Sequence, residues 1–435
     1  MSVEPGDRVP PDQPGPVGAS GTRVASLDFI RGVAVTGILA ANIVAFGQPM
    51  TAYMYPDAFA SPHGEADQWM WVAQFLLVDG KFRGLFSLLF GAGLYLFMER
   101  AWARGATLRL QVRRLFWLAV FGLAHFYLIW RGDILFGYAI TGLVALPLLR
   151  WPAKRQLGVG VAGFILGAIA LAAMMSVPYL TLETSFGDRP VMAEQREQMI
   201  AGREDALADG EQEVVLVREG AYGAIVAHGF ARHAAEPFSF VSLYLFETLP
   251  LMLIGMGLYR LGLFDGGINR ATLMRWGWAG VIIGTVLSVP VALWAKAQDL
   301  SYYSTLAAFL GIGQLPRLFA IVGLAALLTV AATGSRNWLG QRICAAGRAA
   351  FTNYLGTSIA MMLLFHGWAG GLFGYLTRAE LYVVTVIAWI VMLLWSKPWL
   401  DRYRFGPFEW LWRCLTYGRI FPLRRDGLAN ENDSQ

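Results

Sequence analysis

The sequence predicts an all-α, polytopic membrane protein: a helical bundle of about ten transmembrane helices with both termini in the cytoplasm. Three observations support this fold class. Of the 435 residues, 56% are hydrophobic and only 15% are charged, whereas soluble domains carry about 25% charged residues. Apolar runs of roughly 17–25 residues, long enough to cross a bilayer, recur along the chain. Lys and Arg concentrate in alternate connections between these runs.

The apolar runs define the predicted spans in chain order. They are placed at 28–48, 81–99, 112–130, 133–150, 157–178, 238–261, 272–295, 305–332, 347–366 and 379–396. The segment "ADQWMWVAQFLLVDG" (66–80) is also apolar, but it is short and joins the second span directly. This predicts an interfacial or re-entrant helix.

The orientation follows from the basic residues, because cytoplasmic connections are enriched in Lys and Arg. The N-terminal segment and every second connection after it carry most of them, so both termini are predicted to be cytoplasmic and the first span to act as an uncleaved signal anchor. The net charge of +5 arises from these topology signals. It therefore does not indicate a nucleic-acid partner.

The spans divide the chain into five regions. These are a Pro- and Gly-rich disordered tail (1–22), an N-terminal membrane half (23–178), an outer loop (179–237), a C-terminal membrane half (238–396), and a cytoplasmic interfacial helix with a tail (397–435). The outer loop is acidic, and its pattern from Val191 to Ala227 predicts one or two amphipathic helices. A solvated face and a lid over an outer site are both compatible with this pattern.

Cysteine and histidine usage gives no metal-binding pattern. Cys344 and Cys414 are both predicted to be cytoplasmic, so neither a disulfide nor a thiolate metal site is indicated. The five histidines are scattered and lack the spacing of known metal motifs. The sequence therefore predicts no metal and no permanently bound cofactor.

The stretch "GLAHFYLIWRGDILFGYAI" (122–140) places ionisable residues within an apolar hairpin. His125 and Asp133 are each four residues from Ile129, so they lie at similar depth in antiparallel helices. His125 is on the order of 9 Å below the outer surface, at 1.5 Å per residue. A carboxylate on one imidazole nitrogen would prepare the other as a general base. The alternative is that Asp133 caps a helix and His125 merely bonds to a neighbouring helix.

Two further groups of charges lie within or beside the spans. Glu247 and Arg317 are predicted near mid-bilayer, as a structural salt bridge or as the lining of a polar substrate path. Lys81 and Arg83 occupy the outer end of the second span. They could anchor anionic lipid headgroups or hold the phosphate or carboxylate of a substrate.

Several stretches resemble the YeiB-like family of bacterial membrane proteins, a domain of unknown function. They are "RVASLDFIRGVAVTGILAANIVAFG", "DGKFRGLFSLLFGAGLYLF", "GLAHFYLIWRGDILFGYAI", "LMLIGMGLYRLGLFDG", "GRAAFTNYLGTS" and "YRFGPFEWLWRCLTYGR". The resemblance runs in order from Arg23 to Arg419 and implies a multi-pass protein of the bacterial inner (plasma) membrane. The family is itself similar, distantly, to transmembrane acyltransferases of the heparan-α-glucosaminide N-acetyltransferase and bacterial O-acyltransferase types. That similarity rests chiefly on Leu-Asp-x-x-Arg-Gly, here with Asp28 and Arg31.

The acyltransferase resemblance implies that an acyl group passes from cytoplasmic acyl-CoA to an acceptor at the outer face. The acceptor class would be an envelope glycan, a lipid or a small polar molecule. Arg23 and Arg31 could meet the donor's phosphates or amides, with Asp28 bracing Arg31 one helical turn away. The alternative is that Asp28 and Arg31 only fix the helix end at the interface.

The chain departs from the O-acyltransferase pattern at Asn42, where those enzymes carry a histidine. The N-acetyltransferase type also has asparagine there and supplies a histidine from the loop before its second span. The nearest candidate, His63, does not match that spacing well. We therefore expect His125 to act as the base, Asp133 to orient it, and Asn42 to contact the reacting carbonyl.

Three function classes stay open at this stage. The first is the acyltransferase, with the lipid bilayer, acyl-CoA and an envelope acceptor as partners. The second is a transporter or channel for a polar or lipid-like solute, motivated by Glu247 and Arg317. The third is a scaffold within an envelope complex. The sequence does not specify the acceptor, the acyl chain or the oligomeric state. A homo-oligomer is compatible with it.

Overall fold

The computed structural model describes residues 25–335 and 337–425, and this part of the chain is helical without a β-strand. The predicted all-α class is therefore confirmed. The tail predicted to be disordered (1–22) and the predicted donor-binding residue Arg23 lie outside the described residues.

Six helices form the first half of the described chain. They are α1 (Ala25–Gly47), α2 (Glu65–Leu77), α3 (Lys81–Trp102), α4 (Leu108–Leu128), α5 (Leu135–Ala145) and α6 (Ala153–Glu183). A 3-10 turn over Leu146–Arg150 prolongs α5. The predicted short helix before the second span is present as α2. Gly80 joins it to α3 with a φ of 71°, a left-handed conformation that suits glycine.

The long loop folds into helices, as its residue pattern predicts. They are α7 (Ala193–Glu219), α8 (Tyr222–His233) and the short α9 (Glu236–Ser239). Only Asp209, Gly210 and Val217 are buried in α7, so most of this helix lies on the surface. We call the end of the bundle that carries α7 and α8 the loop end.

The second half contains the remaining helices. They are α10 (Val241–Arg260), α11 (Arg270–Ala297), α12 (Tyr302–Leu306), α13 (Gln314–Ala332), α14 (Trp338–Arg348), α15 (Ala350–Phe365), α16 (Arg378–Arg402) and α17 (Pro407–Tyr417). The predicted span 305–332 is not one regular helix, because a π-helical turn over Ala307–Ile312 separates α12 from α13. Gly311, Gly313 and Pro316 are weak helix formers at this interruption.

Within the described residues, seven segments are long and apolar enough to cross a membrane. They are Ala25–Gly47, Glu65–Trp102, Ala153–Glu183, Val241–Arg260, Arg270–Ala297, Gln314–Ala332 and Arg378–Arg402. The shorter apolar helices include α15 and α5 with its 3-10 turn. The chain is thus a membrane protein, whereas the count of ten spans and the side of each terminus stay predictions.

Helix α1 lies at the centre of the bundle because it is apolar on nearly all sides. It packs against α3, α13, α14, α15 and α16. Gly347 allows α14 to approach α1 closely, since a Cβ there would lie 1.8 Å from the Asp28 carbonyl oxygen. We call the end of the bundle where α14 and α17 meet the beginnings of α1 and α4 the basic end.

Candidate functional site

His125 and Asp133 form a buried pair where α4 ends and α5 begins. Nδ1 of His125 lies 2.9 Å from Oδ1 of Asp133, which confirms the predicted contact. Oδ2 of Asp133 also accepts a hydrogen bond of 2.8 Å from the backbone N–H of Phe136 and so caps α5. Asp133 therefore combines the two interactions that the sequence presented as alternatives.

The second imidazole nitrogen of His125 is left available. With the Nδ1 proton donated to Asp133, Nε2 carries a lone pair. Nε2 is buried and has no hydrogen-bond partner in the described part of the chain. The rings of Tyr354 and Trp130 flank the imidazole, with centroids 5.2 and 6.2 Å away. This arrangement is suited to a general base.

A cavity of about 390 Å³ opens beside this pair toward the loop end, and we call it the loop-end cavity. Its lining includes Asn42, Arg83, Trp130, Asp133 and Tyr244. The hydroxyl of Tyr244 donates to the backbone oxygen of Asp133 at 3.1 Å. Asn42 and Asp133, two of the predicted catalytic residues, thus face the same space.

A second cavity, of about 450 Å³, lies at the basic end, and we call it the basic cavity. Asp28 and Arg31 line it, with Nη1 of Arg31 3.5 Å from Oδ1 of Asp28. The other charged residues of its lining are Arg100, Arg114, Arg348, Arg404, Glu409 and Arg413. Because arginines outnumber carboxylates here, the cavity favours anionic ligands such as phosphate groups.

Most of these arginines were not predicted as site residues. They come from α3, α4, α14, α17 and the segment between α16 and α17. The sequence indicates them only as cytoplasmic charges that set the topology, except for Arg413, which also lies in the predicted interfacial helix. Glu409, a carboxylate of the same lining, is half-buried. Desolvation raises the pKa of its carboxyl, although hydrogen bonds from Thr352 and Phe351 partly oppose this shift.

A third cavity, of about 210 Å³, shares lining residues with each of the other two, and we call it the central cavity. It shares Arg31, Arg114 and Arg348 with the basic cavity. Its lining extends to Tyr354 and Ile134, and Ile134 also lines the loop-end cavity. Among the described residues, the three cavities thus follow one another from the basic end to the His125–Asp133 pair.

The predicted pairing of Glu247 with Arg317 is wrong. Glu247 pairs instead with Arg83, whose Nη2 lies 2.6 Å from Oε2 of Glu247. Nη1 of Arg317 donates to the backbone oxygen of Phe309 at 2.7 Å. Helix α3 packs against α10 and brings Arg83 to Glu247, whereas residue depth alone did not distinguish the two arginines.

The predicted substrate- and donor-binding residues separate into two places. Asp28 and Arg31 line the basic cavity, whereas Arg83 lines the loop-end cavity. Lys81 is buried, and its Nζ donates to the backbone oxygen of Phe75 at 3.0 Å. One ligand at the basic cavity would therefore not meet Arg31 and Arg83 together unless it extended through the central cavity.

Comparison with known proteins shows similarity over nearly the whole chain. The family model "Protein of unknown function (DUF418)" matches residues 258–419. The chain is 32% identical over 407 residues to "Uncharacterized protein YeiB" of Escherichia coli (strain K12), covering 91% of this chain and 96% of that protein. It is 30% identical over 427 residues to "Uncharacterized protein YxaH" of Bacillus subtilis (strain 168), covering 93% and 96%. No solved structure matches.

Proposed function

We propose that this chain, which belongs to the YeiB-like family because it matches YeiB and YxaH over most of their length, is a membrane-embedded acyltransferase. It moves an acyl group from cytoplasmic acyl-CoA to an envelope glycan, lipid or small polar acceptor at the outer face. In this proposal the protein spans the bacterial inner membrane. Its basic end faces the cytoplasm, because cytoplasmic segments are enriched in Lys and Arg.

The basic and central cavities support the donor side of this proposal. Arginine pairs with phosphate oxygens through parallel hydrogen bonds, and acyl-CoA carries several phosphate groups. The central cavity continues from these arginines between apolar side chains, including Phe86, Leu89 and Phe90. An acyl chain and its thioester would therefore extend from the basic cavity toward Tyr354 and Ile134.

The buried histidine supports the chemical step. An acceptor hydroxyl or amine in the loop-end cavity attacks the thioester carbonyl while Nε2 of His125 takes its proton. The new bond to the acyl carbon forms, the carbon–sulfur bond breaks, and His125 returns the proton to the leaving thiolate. Asp133 stabilises the transient imidazolium, and the amide of Asn42 donates a hydrogen bond to the carbonyl oxygen as it gains negative charge.

Access to His125 requires a side-chain movement. Trp130 lines the loop-end cavity, and Tyr354 lines the central cavity. Both rings flank the imidazole, which is itself 1% exposed. Rotation of either ring would connect Nε2 with the neighbouring cavity.

The observation that carries the proposal is the buried His125–Asp133 pair between the loop-end and central cavities, with the basic cavity beyond. Its first test is calorimetric titration of acetyl-CoA and palmitoyl-CoA into the detergent-purified protein. We expect saturable binding that Arg31→Ala weakens by about tenfold or more, as for loss of a charge-assisted hydrogen bond. Arg104→Ala, outside the cavity lining, is the matched control. Absence of binding by folded wild-type protein would overturn the proposal.

The alternative function is transport of a polar or lipid-like solute. It is favoured by the same series of cavities and by Arg83, which lines the loop-end cavity while paired with Glu247. Uptake of radiolabelled sugars and amino acids into liposomes, with no acyl donor present, tests it. Uptake that Glu247→Gln abolishes would favour transport over acyl transfer.

A further inference from the structure

Helices α7 and α8 bring three metal-ligating side chains together at the loop end. Nε2 of His228 lies 3.0 Å from Oδ1 of Asp209, and Nε2 of His233 lies 3.3 Å from Oδ2 of the same carboxylate. One ligand atom from each of the three residues lies within 4.8 Å of the others. We propose that Asp209, His228 and His233 bind a divalent transition-metal ion of the zinc class.

The orientation of His233 supports metal binding. Its Nδ1 lies 2.8 Å from Oε1 of Glu236. Histidines that bind metals commonly donate their second ring N–H to a carboxylate, which fixes the tautomer and strengthens the ligand. With the proton on Nδ1, the lone pair of Nε2 faces Asp209. Glu236 would therefore hold His233 in the tautomer that a metal ion requires.

A cationic group already approaches the same ligand atoms. Nη1 of Arg131 lies 2.6 Å from Nε2 of His233 and 3.4 Å from Oδ2 of Asp209. Its guanidinium donates a hydrogen bond to the Nε2 lone pair that a metal ion would use. A metal ion and Arg131 therefore cannot bind His233 at the same time. The Arg131 side chain is 23% exposed and also lines the loop-end cavity. It therefore has space to leave the cluster when a metal ion binds.

The ligand set indicates the class of ion. Two imidazole nitrogens and one carboxylate match zinc and related transition metals, and a fourth position is left for water or another ligand. Calcium and magnesium prefer oxygen ligands alone and are disfavoured. The ion would join α7 to α8 and fix these helices together. The inference departs from the sequence-based prediction of no metal, because only the α7–α8 packing brings Asp209 to the two histidines.

Calorimetric titration of zinc chloride into detergent-purified protein without a polyhistidine tag tests the site. We expect one zinc ion per chain with micromolar or tighter affinity. Loss of a ligand in His233→Ala should weaken binding by about 100-fold or more. Arg131→Gln should instead strengthen binding by about tenfold, because it removes the cation that contacts Nε2 of His233. Arg232, whose Nε lies 3.6 Å from Oδ1 of Asp209, stays in this variant. His63→Ala is the matched control, since His63 lies outside the cluster.

Thermal unfolding distinguishes a zinc site from a cluster that only stabilises the fold. If the cluster binds zinc, zinc should raise the melting temperature of the wild-type protein and of His63→Ala, but not that of Asp209→Asn, which preserves side-chain volume. If the cluster is purely structural, zinc should leave all three melting temperatures unchanged. Zinc binding that persists unchanged in both His228→Ala and His233→Ala would overturn the inference. So would the absence of binding in both the wild type and Arg131→Gln. No acyl donor is present in these assays, so their outcome is independent of the proposed acyl transfer.

Discussion

Two ion pairs inside the bundle differ in how fully their hydrogen-bonding capacity is used. Nη2 of Arg83 lies 2.9 and 2.6 Å from the two carboxylate oxygens of Glu247, and Gln314 donates to the same carboxylate at 3.3 Å. In the His125–Asp133 pair, by contrast, Nε2 of His125 has no partner among the described residues. The first pair is suited to stabilising the fold, and the second retains a group that can take part in chemistry.

Removing the carboxylate of the first pair should give the largest effect on stability. Glu247→Ala leaves the Arg83 guanidinium, whose side chain is 24% exposed, without its counter-ion. The cost should therefore exceed that of an exposed pair but stay below the roughly 3–5 kcal/mol that breaking a fully buried pair costs. Unfolding by SDS titration in mixed micelles, followed by circular dichroism, measures the change. Glu247→Gln keeps the side-chain volume and one hydrogen-bond acceptor, so its loss should be smaller. A cost below about 1 kcal/mol for Glu247→Ala would show that the pair does not stabilise the bundle.

Removing the histidine of the second pair should act on turnover instead. His125→Ala should lower the acyl-transfer rate by about 10²–10⁴-fold, the usual contribution of a positioned general base. The measurement is transfer of radiolabelled acetyl groups to an envelope extract. His63→Ala provides a matched control, because His63 lies outside the three cavities and contacts Ser61 and Asp57 of its own loop. Full turnover in folded His125→Ala protein would contradict the assigned role.

The sequence predicts the two pairs with unequal success for a geometric reason. His125 and Asp133 are eight residues apart on either side of one turn, so hairpin geometry alone brings them together. Arg83 and Glu247 are 164 residues apart. Residue depth predicts the level of each in the bilayer but not the rotation of its helix. That is why Arg317, at a similar predicted depth, was chosen wrongly as the partner of Glu247.

The same limit applies to the fold and the cavities. The apolar runs predict most helices because each span depends on local composition. The π-helical turn over Ala307–Ile312 depends on packing and was missed. The basic cavity collects arginines from helices that are distant in sequence, including Arg100, Arg348 and Arg413. Their charge predicts an orientation in the membrane, whereas their convergence requires the folded bundle.

Asp133 both orients His125 and caps α5, and two substitutions of intermediate effect on stability separate these roles. Asp133→Ala removes the cap of α5, which contributes about 0.5–2 kcal/mol. It also removes the acceptor of the buried Nδ1–H of His125 and so adds a further loss of stability. Asp133→Asn should retain most of the capping energy. Both remove the negative charge that supports His125, so both should lower turnover. SDS titration and the acyl-transfer assay on the same preparations measure the two effects. Equal destabilisation by the two substitutions would show that the hydrogen bond to Phe136 needs the charge.

The smallest effect is expected for an exposed pair at the surface, which provides the reference for both pairs inside the bundle. Nζ of Lys397 lies 2.9 Å from Oδ2 of Asp401 one turn along α16, and the two side chains are 33% and 60% exposed. Exposed pairs at this spacing contribute about 0.3–0.5 kcal/mol, because water already solvates both charges. Lys397→Ala should therefore change the free energy of unfolding by no more than this amount. If its cost approached that of Glu247→Ala in the same titration, burial would not be the property that separates these pairs.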